Sequence, residues 1–321
     1  MTDKSATTER QATVADQLIG WLHRHGIRHV FGTPSGGWLP YMEAMRTGGV
    51  EFVLVSNEAS AGFMATVYAR IKGVPGACYA TVGPGATNLS TGVGAALLNR
   101  DPILAFTSEA PRNMMGRTVQ MAIDQQTLFQ PLTKKTTRLE PSRVSAVMDD
   151  AFLVATSEIP GPVHIGLPGD LAGMEVPVDA MDGPAAAAEG PQVAPAESSA
   201  LQKMKDVFRA ASRPVLAVGL GAVRSRSDSL IRQLAERHNV PVVLTPMAKG
   251  MLSEDHPWYS GVLFHALSDI VAETHQQADL VVGIGYDPVE FNYEAWMPHV
   301  PLLHIDVKPA DIDKSEYTDV V

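Results

Sequence analysis

The sequence holds a single cysteine, Cys78, among 321 residues. No intrachain disulfide and no cysteine metal cluster can form from it. Cations are also scarce: 25 Lys and Arg stand against 35 Asp and Glu, a formal net charge of −10 with His neutral. That balance excludes the cationic surface with which nucleic-acid binders neutralise phosphates. No apolar run approaches the roughly 18 residues of a membrane span. The opening stretch, MTDKSATTERQATVADQ, lacks the apolar core of a signal peptide. A cytoplasmic protein that neither crosses a membrane nor binds nucleic acid is expected. Three catalytic patterns are missing as well: the GxxxxGK phosphate loop, the HExxH zinc helix and the GxSxG nucleophile elbow. The histidines are scattered without metal-ligand spacing, so no protein-ligated zinc is expected.

What is present is core-forming material. Hydrophobic residues make up 45% and charged residues 19%, which excludes a disordered chain. At roughly 100–200 residues per domain, the length suggests two domains. Residues 13–26 read as an amphipathic helix, with Val14, Leu18, Trp21 and Leu22 at helical spacing and Gly26 at its end. A short strand (IRHVFGTP) follows, then a Pro- and Gly-bearing loop, a helix (LPYMEAMRTGG), a strand (VEFVLVS) and a long helix of small residues (NEASAGFMATVYARIKG). Next come strand ACYATV, a glycine turn opening a helix (GPGATNLSTGVGAALLNRD), and the strands PILAFTSE and PGPVHIGLP. Strands apolar on both faces, alternating with helices, specify a parallel sheet covered on both sides. Residues 173–200, rich in Ala, Pro and Gly without apolar period, read as a linker. Beyond it the alternation restarts: strand and turn SRPVLAVGLGAV, helix DSLIRQLAERHN, strand VPVVLTPMAKG, helix LSDIVAETHQQ, and strands ADLVVGIGYD and VPLLHIDVKP. The expected architecture is α/β, two open doubly wound parallel-sheet domains, spanning 8–172 and 201–321.

Glu58 stands just past a buried strand, at the start of a helix, flanked by Ala59, Ser60, Ala61 and Gly62. An acidic residue in a first turn suits the helix dipole. A carboxylate at a strand's C-terminal end is equally a candidate for chemistry, because ligands of open α/β sheets bind there. The TVGPGATN turn, residues 81–88, can present a helix N-terminus to an anion or be a plain strand-to-helix turn. VGLGAV, residues 218–223, is an incomplete dinucleotide fingerprint, with Val223 and Arg224 where the third glycine would stand; it is read as a structural turn. Cys78, in an apolar strand, reads as an inert core residue. Met114, Met115 and Met121 form an apolar set that either lines a pocket or fills a core.

Together these segments resemble one family. HVFGTPSGG, the glutamate of SNEASAGFMATVYAR, ATVGPGATNLSTGVGAALLNRDPILAFTSE and LFQPLTKK are similar to the pyrimidine-binding domain of thiamine-diphosphate enzymes, acetolactate synthases above all. KGMLSEDHPWYSGV and ADLVVGIGYDPVEFNYEAWMP are similar to that family's central domain. The resemblance runs over about residues 12–321. It implies a decarboxylase or carboligase acting on a small 2-oxoacid, with Glu58 hydrogen-bonded to the cofactor's pyrimidine ring. It further implies that Pro34, Thr81, Pro84 and Asn88 surround the pyrimidine, and that Ser35, Gly36 and Gln120 face the thiazolium and substrate. The family's histidine before the glutamate is Asn57 here, and its catalytic-loop glutamine aligns with Met121, one place after Gln120. The third domain, whose Gly-Asp-Gly motif holds magnesium and the diphosphate, has no counterpart: Gly169-Asp170 is followed by Leu171. The chain is therefore expected to be inactive alone, as one subunit of a split enzyme or as a fragment of a longer one. It is also expected to self-associate through its first domain. IGYDPVEFNYEAWMP resembles the flavin-free branch, so FAD is not expected. Two other readings are a non-catalytic binding or regulatory protein retaining the fold, and a nicotinamide dehydrogenase resting on VGLGAV alone.

Overall fold

A computed structural model describes residues 11–177, 195–263, 269–290, 299–309 and 311. The expected elements or boundaries at 8–10, 178–194, 267–268, 291–298 and 312–321 lie outside the described residues. The chain divides into two compact units, Met1–Gln192 and Val193–Val321.

The first unit runs β1 (Gln11–Thr13), α1 (Val14–Arg24), β2 (His29–Gly32), α2 (Leu39–Gly48), β3 (Glu51–Leu54), α3 (Glu58–Lys72), β4 (Gly76–Ala80), α4 (Pro84–Leu98), β5 (Ile103–Glu109), α5 (Gln125–Phe129), β6 (Lys135–Arg138), α6 (Val144–Thr156), β7 (Val163–Pro168) and β8 (Glu175–Pro177). Its ends are set by local chemistry. Thr13 caps α1 in a reciprocal box with Asp16, which satisfies amide donors that the helix itself leaves open. Gly49 and Gly73 close α2 and α3 in the left-handed region, where a Cβ is unfavourable.

Six strands form one sheet in the order β3-β2-β4-β5-β7-β6, all parallel. Alternate strand residues feed two cores. Tyr79 and Phe106 join Trp38 and the apolar faces of α1, α2 and α6. Cys78 and Ala105 join Ala61, Ala65 and Leu89 of α3 and α4 on the other side. Both faces are thus covered, as the continuous apolar strands require. The chain adds β3 on one side of β2 and then crosses to lay β4 on the other. The order therefore reverses between β2 and β4, and such a reversal opens a crevice at the strands' carboxyl ends.

Two features depart from the composition-based reading. β6, Lys-Thr-Thr-Arg, is an edge strand that sequence alternation does not flag. The expected linker is regular structure at both ends: at its start β8 pairs antiparallel with β1, Gln11 opposite Pro177, and its last residues open the helix Ser198–Ala210. Gln17 of α1 adds a hydrogen bond to the Pro177 carbonyl at 2.9 Å.

The second unit runs α7 (Ser198–Ala210), β9 (Pro214–Val218), α8 (Leu220–Arg224), α9 (Asp228–His238), β10 (Val242–Leu244), β11 (Tyr259–Val262), α10 (Asp269–Gln276), β12 (Leu280–Ile284) and β13 (Leu302–Ile305). Its parallel sheet has the order β11-β10-β9-β12-β13. Among the described residues, no helix is long and apolar enough to cross a membrane.

Candidate functional site

The crevice between β2 and β4 gathers most of the expected site residues. Val55, just beyond β3, is tied back to Gly32 by its amide at 3.0 Å, and three residues later α3 begins. Asn57 is the N-cap of α3, its side chain accepting the Ala59 amide at 2.8 Å. That bond gives Asn57, which stands where the family has histidine, a structural task. It also relieves Glu58 of capping its own helix. The Glu58 side chain turns instead toward α4, where Asn88 donates to its Oε2 at 3.1 Å. Glu58 is 9% exposed. Its second oxygen, Oε1, accepts no hydrogen bond among the described residues and faces Gly85. A Cβ on Gly85 would lie 3.4 Å from Oε1 and 2.8 Å from the Thr81 methyl. Glycine there keeps open the space beside the carboxylate.

α4 begins at Pro84 with no side-chain cap, so its first amides are left without one of their usual partners. The helix lies against α3 through two glycines. A Cβ on Gly62 would come within 2.7 Å of the Gly92 Cα, and one on Gly92 within 2.6 Å of the Ala59 carbonyl oxygen. These close approaches fix how Asn88 meets Glu58.

Ser35 lies three residues beyond β2, with Pro34 and Gly36 exposed on either side. Its hydroxyl is 2.5 Å from the Tyr79 phenol, which is 2.7 Å from the Ser108 hydroxyl. Burial raises the Tyr79 pKa above that of an ordinary phenol, although its hydroxyl partners act the other way, so the group stays protonated. Its ring is stacked on Trp38 at 4.0 Å between centroids. Thr81, two residues beyond Tyr79, sets its methyl beside Gly85. Tyr79 and Ser108 were missed by sequence reasoning; only the strand register brings them level with Ser35.

Gln120 is not joined to this cluster by any hydrogen bond among the described residues and is exposed. Its neighbour Met121 sits in the left-handed region at φ 60°. The Met121 carbonyl oxygen would lie 2.1 Å from a Cβ on Gly83. The loop is therefore seated on the glycine turn through Met121. Met114 and Met115 line an open cavity of about 350 Å³ with Glu109, Arg117 and Arg138, so of the two expectations for the methionines the pocket holds for these two; Met114 and Met121 are both exposed. Behind the cavity, Glu109 binds Arg138 at 2.5 Å and Gln126 at 2.8 Å. Gln126 accepts from Thr136, which contacts His164 Nδ1 at 2.7 Å, and Thr107 holds Nε2 at 2.8 Å. Burial, and then the Arg138 charge, push the His164 pKa down to about 3. Cys78 is fully buried and its thiol is pushed up to about 12 by burial, in keeping with an inert core residue.

In the second unit the glycine turn after β9 is filled by its own chain. A Cβ on Gly219 would meet the Gly285 carbonyl oxygen at 2.5 Å, and Gly285 would meet the Ala222 nitrogen at 2.1 Å. Glu290 accepts the Leu220 amide at 2.7 Å and the Thr245 hydroxyl at 2.6 Å, and burial raises its pKa. The Leu220 amide, which follows this turn, is thus already taken by a carboxylate of the same chain. Among the described residues no group of three or more His, Cys, Asp or Glu is gathered to hold a metal ion.

Comparison with known proteins agrees with this arrangement. Residues 12–128 match the thiamine pyrophosphate enzyme N-terminal TPP-binding domain, and 201–321 match the thiamine pyrophosphate enzyme central domain. The chain is 32% identical to an acetolactate synthase of Arthrospira platensis over 334 residues, covering 100% of this chain and 57% of that protein. It is 31% identical to the acetolactate synthase isozyme 1 large subunit of Escherichia coli over 317 residues, 97% of this chain and 55% of that one. For the acetolactate synthase large subunit of Parasynechococcus marenigrum the figures are 32% over 319 residues, 95% and 51%. The chain spans about half the length of the curated relatives it matches. With its pyrimidine-binding and central domains, it belongs to the thiamine pyrophosphate enzyme family and is homologous to acetolactate synthase large subunits.

Proposed function

We propose that this chain supplies the pyrimidine-binding half of a thiamine-diphosphate-dependent decarboxylase or carboligase that acts on a small 2-oxoacid. One observation carries the reading: Glu58 is relieved of helix capping, is held by Asn88 on one oxygen, and presents the other to a space that Gly85 keeps open. A carboxyl group so placed can share a proton with a ring nitrogen. The residues fit the cofactor's aminopyrimidine: Glu58 would hold the ring nitrogen, Pro34, Thr81, Pro84 and Asn88 would border it, and Ser35 and Gly36 would lie toward the reacting end. When bound, thiamine diphosphate supplies a carbon nucleophile and an electron sink for decarboxylation.

This chain's own residues hold and orient. Glu58 keeps or passes a proton at its free oxygen, Asn88 fixes the carboxyl plane, and the Met121-anchored loop carries Gln120 beside the glycine turn. Magnesium and the diphosphate would be held elsewhere, by a separate subunit or by a further part of a longer chain carrying Gly-Asp-Gly. No nicotinamide dinucleotide is assigned to the second unit, since Glu290 takes the Leu220 amide of its glycine turn, and FAD is left out on the resemblance of IGYDPVEFNYEAWMP to the flavin-free branch. Self-association through the first unit fits Phe63, Met64, Val67 and Ile71, which are exposed along α3.

Affinity purification from native cells, with mass spectrometry, tests the partner. A chain of about 150–200 residues with Gly-Asp-Gly and a downstream asparagine is the expected companion. The assembly is then assayed with thiamine diphosphate, magnesium and pyruvate. Glu58→Gln should slow exchange of the cofactor C2 proton by roughly 10²–10⁴-fold, the range of a positioned acid–base group. Unchanged exchange would leave Glu58 as a packing residue and remove the proposal.

A further inference from the structure

Three hydroxyls from three strand ends meet at the mouth of the crevice. Ser35 follows β2, Tyr79 is in β4 and Ser108 is in β5, and the contacts are 2.5 and 2.7 Å. A phenol carries one proton to give and two positions at which to accept. Ser108 is 8% exposed, and Tyr79 is its only hydroxyl partner among the described residues. The Ser108 proton therefore goes to Tyr79. The phenol's own proton is then directed to Ser35, along the shortest contact of the set. Ser35 is left with its proton unused, on the half-exposed member of the chain, between exposed Pro34 and Gly36. The Tyr79 ring cannot turn away, because it is fully buried and stacked on Trp38. Gly37 lets the loop cross Ser108 closely: a Cβ there would lie 3.1 Å from the Ser108 oxygen. Each hydrogen bond in such a chain polarises the next, so the last hydroxyl is a better donor than an isolated serine.

We propose that Ser35 donates its hydroxyl hydrogen to an oxygen of the bound 2-oxoacid, and that Tyr79 and Ser108 are positioning residues that fix the direction of that donor. The proposal rests on the reading given under Proposed function and adds a substrate contact to it. The ligand chemistry it selects is a small anion with carboxylate and carbonyl oxygens. No proton is transferred in this role.

The test uses the assembly purified with its partner and loaded with thiamine diphosphate and magnesium. The probe is oxamate, a non-reacting isostere of pyruvate, and its Kd is read by calorimetry beside the cofactor C2 exchange rate. Ser35→Ala should weaken oxamate about tenfold, equivalent to ~1.4 kcal/mol, a larger loss than any change it makes in C2 exchange. Ser35→Thr, which keeps a hydroxyl, should restore most of the affinity. Tyr79→Phe keeps the ring on Trp38 and should weaken oxamate severalfold. Combined with Ser35→Ala it should add nothing, because both changes act through one donor. Native oxamate affinity in Ser35→Ala with normal exchange overturns the donor and leaves the cofactor reading standing. Additive losses in the double variant overturn the positioning role of Tyr79. Absence of C2 exchange in the native assembly overturns the cofactor reading and the donor with it.

Discussion

The α3–α4 crossing makes a quantitative prediction at Gly92. A Cβ there would be 2.6 Å from the Ala59 carbonyl oxygen and 2.8 Å from the Gly62 Cα. Both obstacles are backbone, so neither can rotate aside. Relief requires α3 and α4 to part by about 0.8 Å, the gap between 2.6 Å and an ordinary 3.4 Å contact. Overpacking of this kind costs ~1–3 kcal/mol. For a unit of this size each kcal/mol lowers Tm by about 2–4 °C. Asn88 lies one turn before Gly92 on α4, so the same displacement takes its 3.1 Å bond to Glu58 beyond hydrogen-bond distance. A misplacement near 1 Å at a reacting group costs on the order of 10² in rate. Gly92→Ala should therefore lower both stability, read by guanidinium unfolding of the full chain, and C2 exchange in the assembly. Gly94→Ala is the control. Its Cβ would meet only Leu132 Cδ2 at 3.5 Å, and replacing a helical glycine with alanine is worth about 0.5–1 kcal/mol of stability. The two neighbouring substitutions should thus move stability in opposite directions. Equal effects, or a Gly92→Ala chain as stable as the native one, would refute the close-packing argument.

Further expectations concern charge and reactivity. His164 titrates near 3 when folded and near 6.5 in the unfolded chain, so between these values the unfolded state binds the extra proton. Its contribution is complete above pH 6.5 and is lost as pH falls toward 3. The native protein should then lose stability faster than His164→Gln on acidification from pH 6.5 to 4, by up to ~1.4 kcal/mol per pH unit; parallel curves would contradict this. Cys78 should react with a thiol reagent only as fast as the first unit unfolds, since its thiol is buried and its pKa is about 12; rapid labelling of native protein would show an opening the packing does not contain. Val67→Asp on the exposed stripe of α3 should shift sedimentation toward the monomer with little change in unfolding free energy, and an unchanged species distribution would move the self-association surface elsewhere.

Much of this was legible in the residues. Central strands such as Ile103–Glu109 and Val163–Pro168, buried along their whole length, announce themselves as apolar runs. The α3 start was legible because Asn57, Glu58 and the small residues after them form a capped, closely packed helix N-terminus. Edge strands were harder. Lys135–Arg138 is polar at both ends, because an edge has one neighbour and more water. The Glu175–Pro177 strand is three residues long, too short for a period to emerge within a Pro- and Ala-rich stretch. The hydroxyl cluster was hidden for another reason. Ser35 and Tyr79 are 44 positions apart, and Tyr79 and Ser108 are 29 apart. Only the pairing of Gly32 with Tyr79 and of Ala80 with Thr107 sets the three side chains at one level. Strand order is a property of tertiary packing, and no local pattern encodes it.

The β1–β8 pair gives the first unit an unusual economy of connection. With Gln11 beside Pro177, and with the Val14 and Ala15 amides held by the Met174 and Ala172 carbonyls at 3.0 and 3.1 Å, the polypeptide enters and leaves at one corner. A unit whose ends meet behaves as a cassette. Joining residue 177 to residue 11 by a short bridge and opening the chain at an exposed loop would give a circular permutant with the same interior. Seen this way, the crevice that holds Glu58 belongs to a closed ring of structure, transferable as a piece.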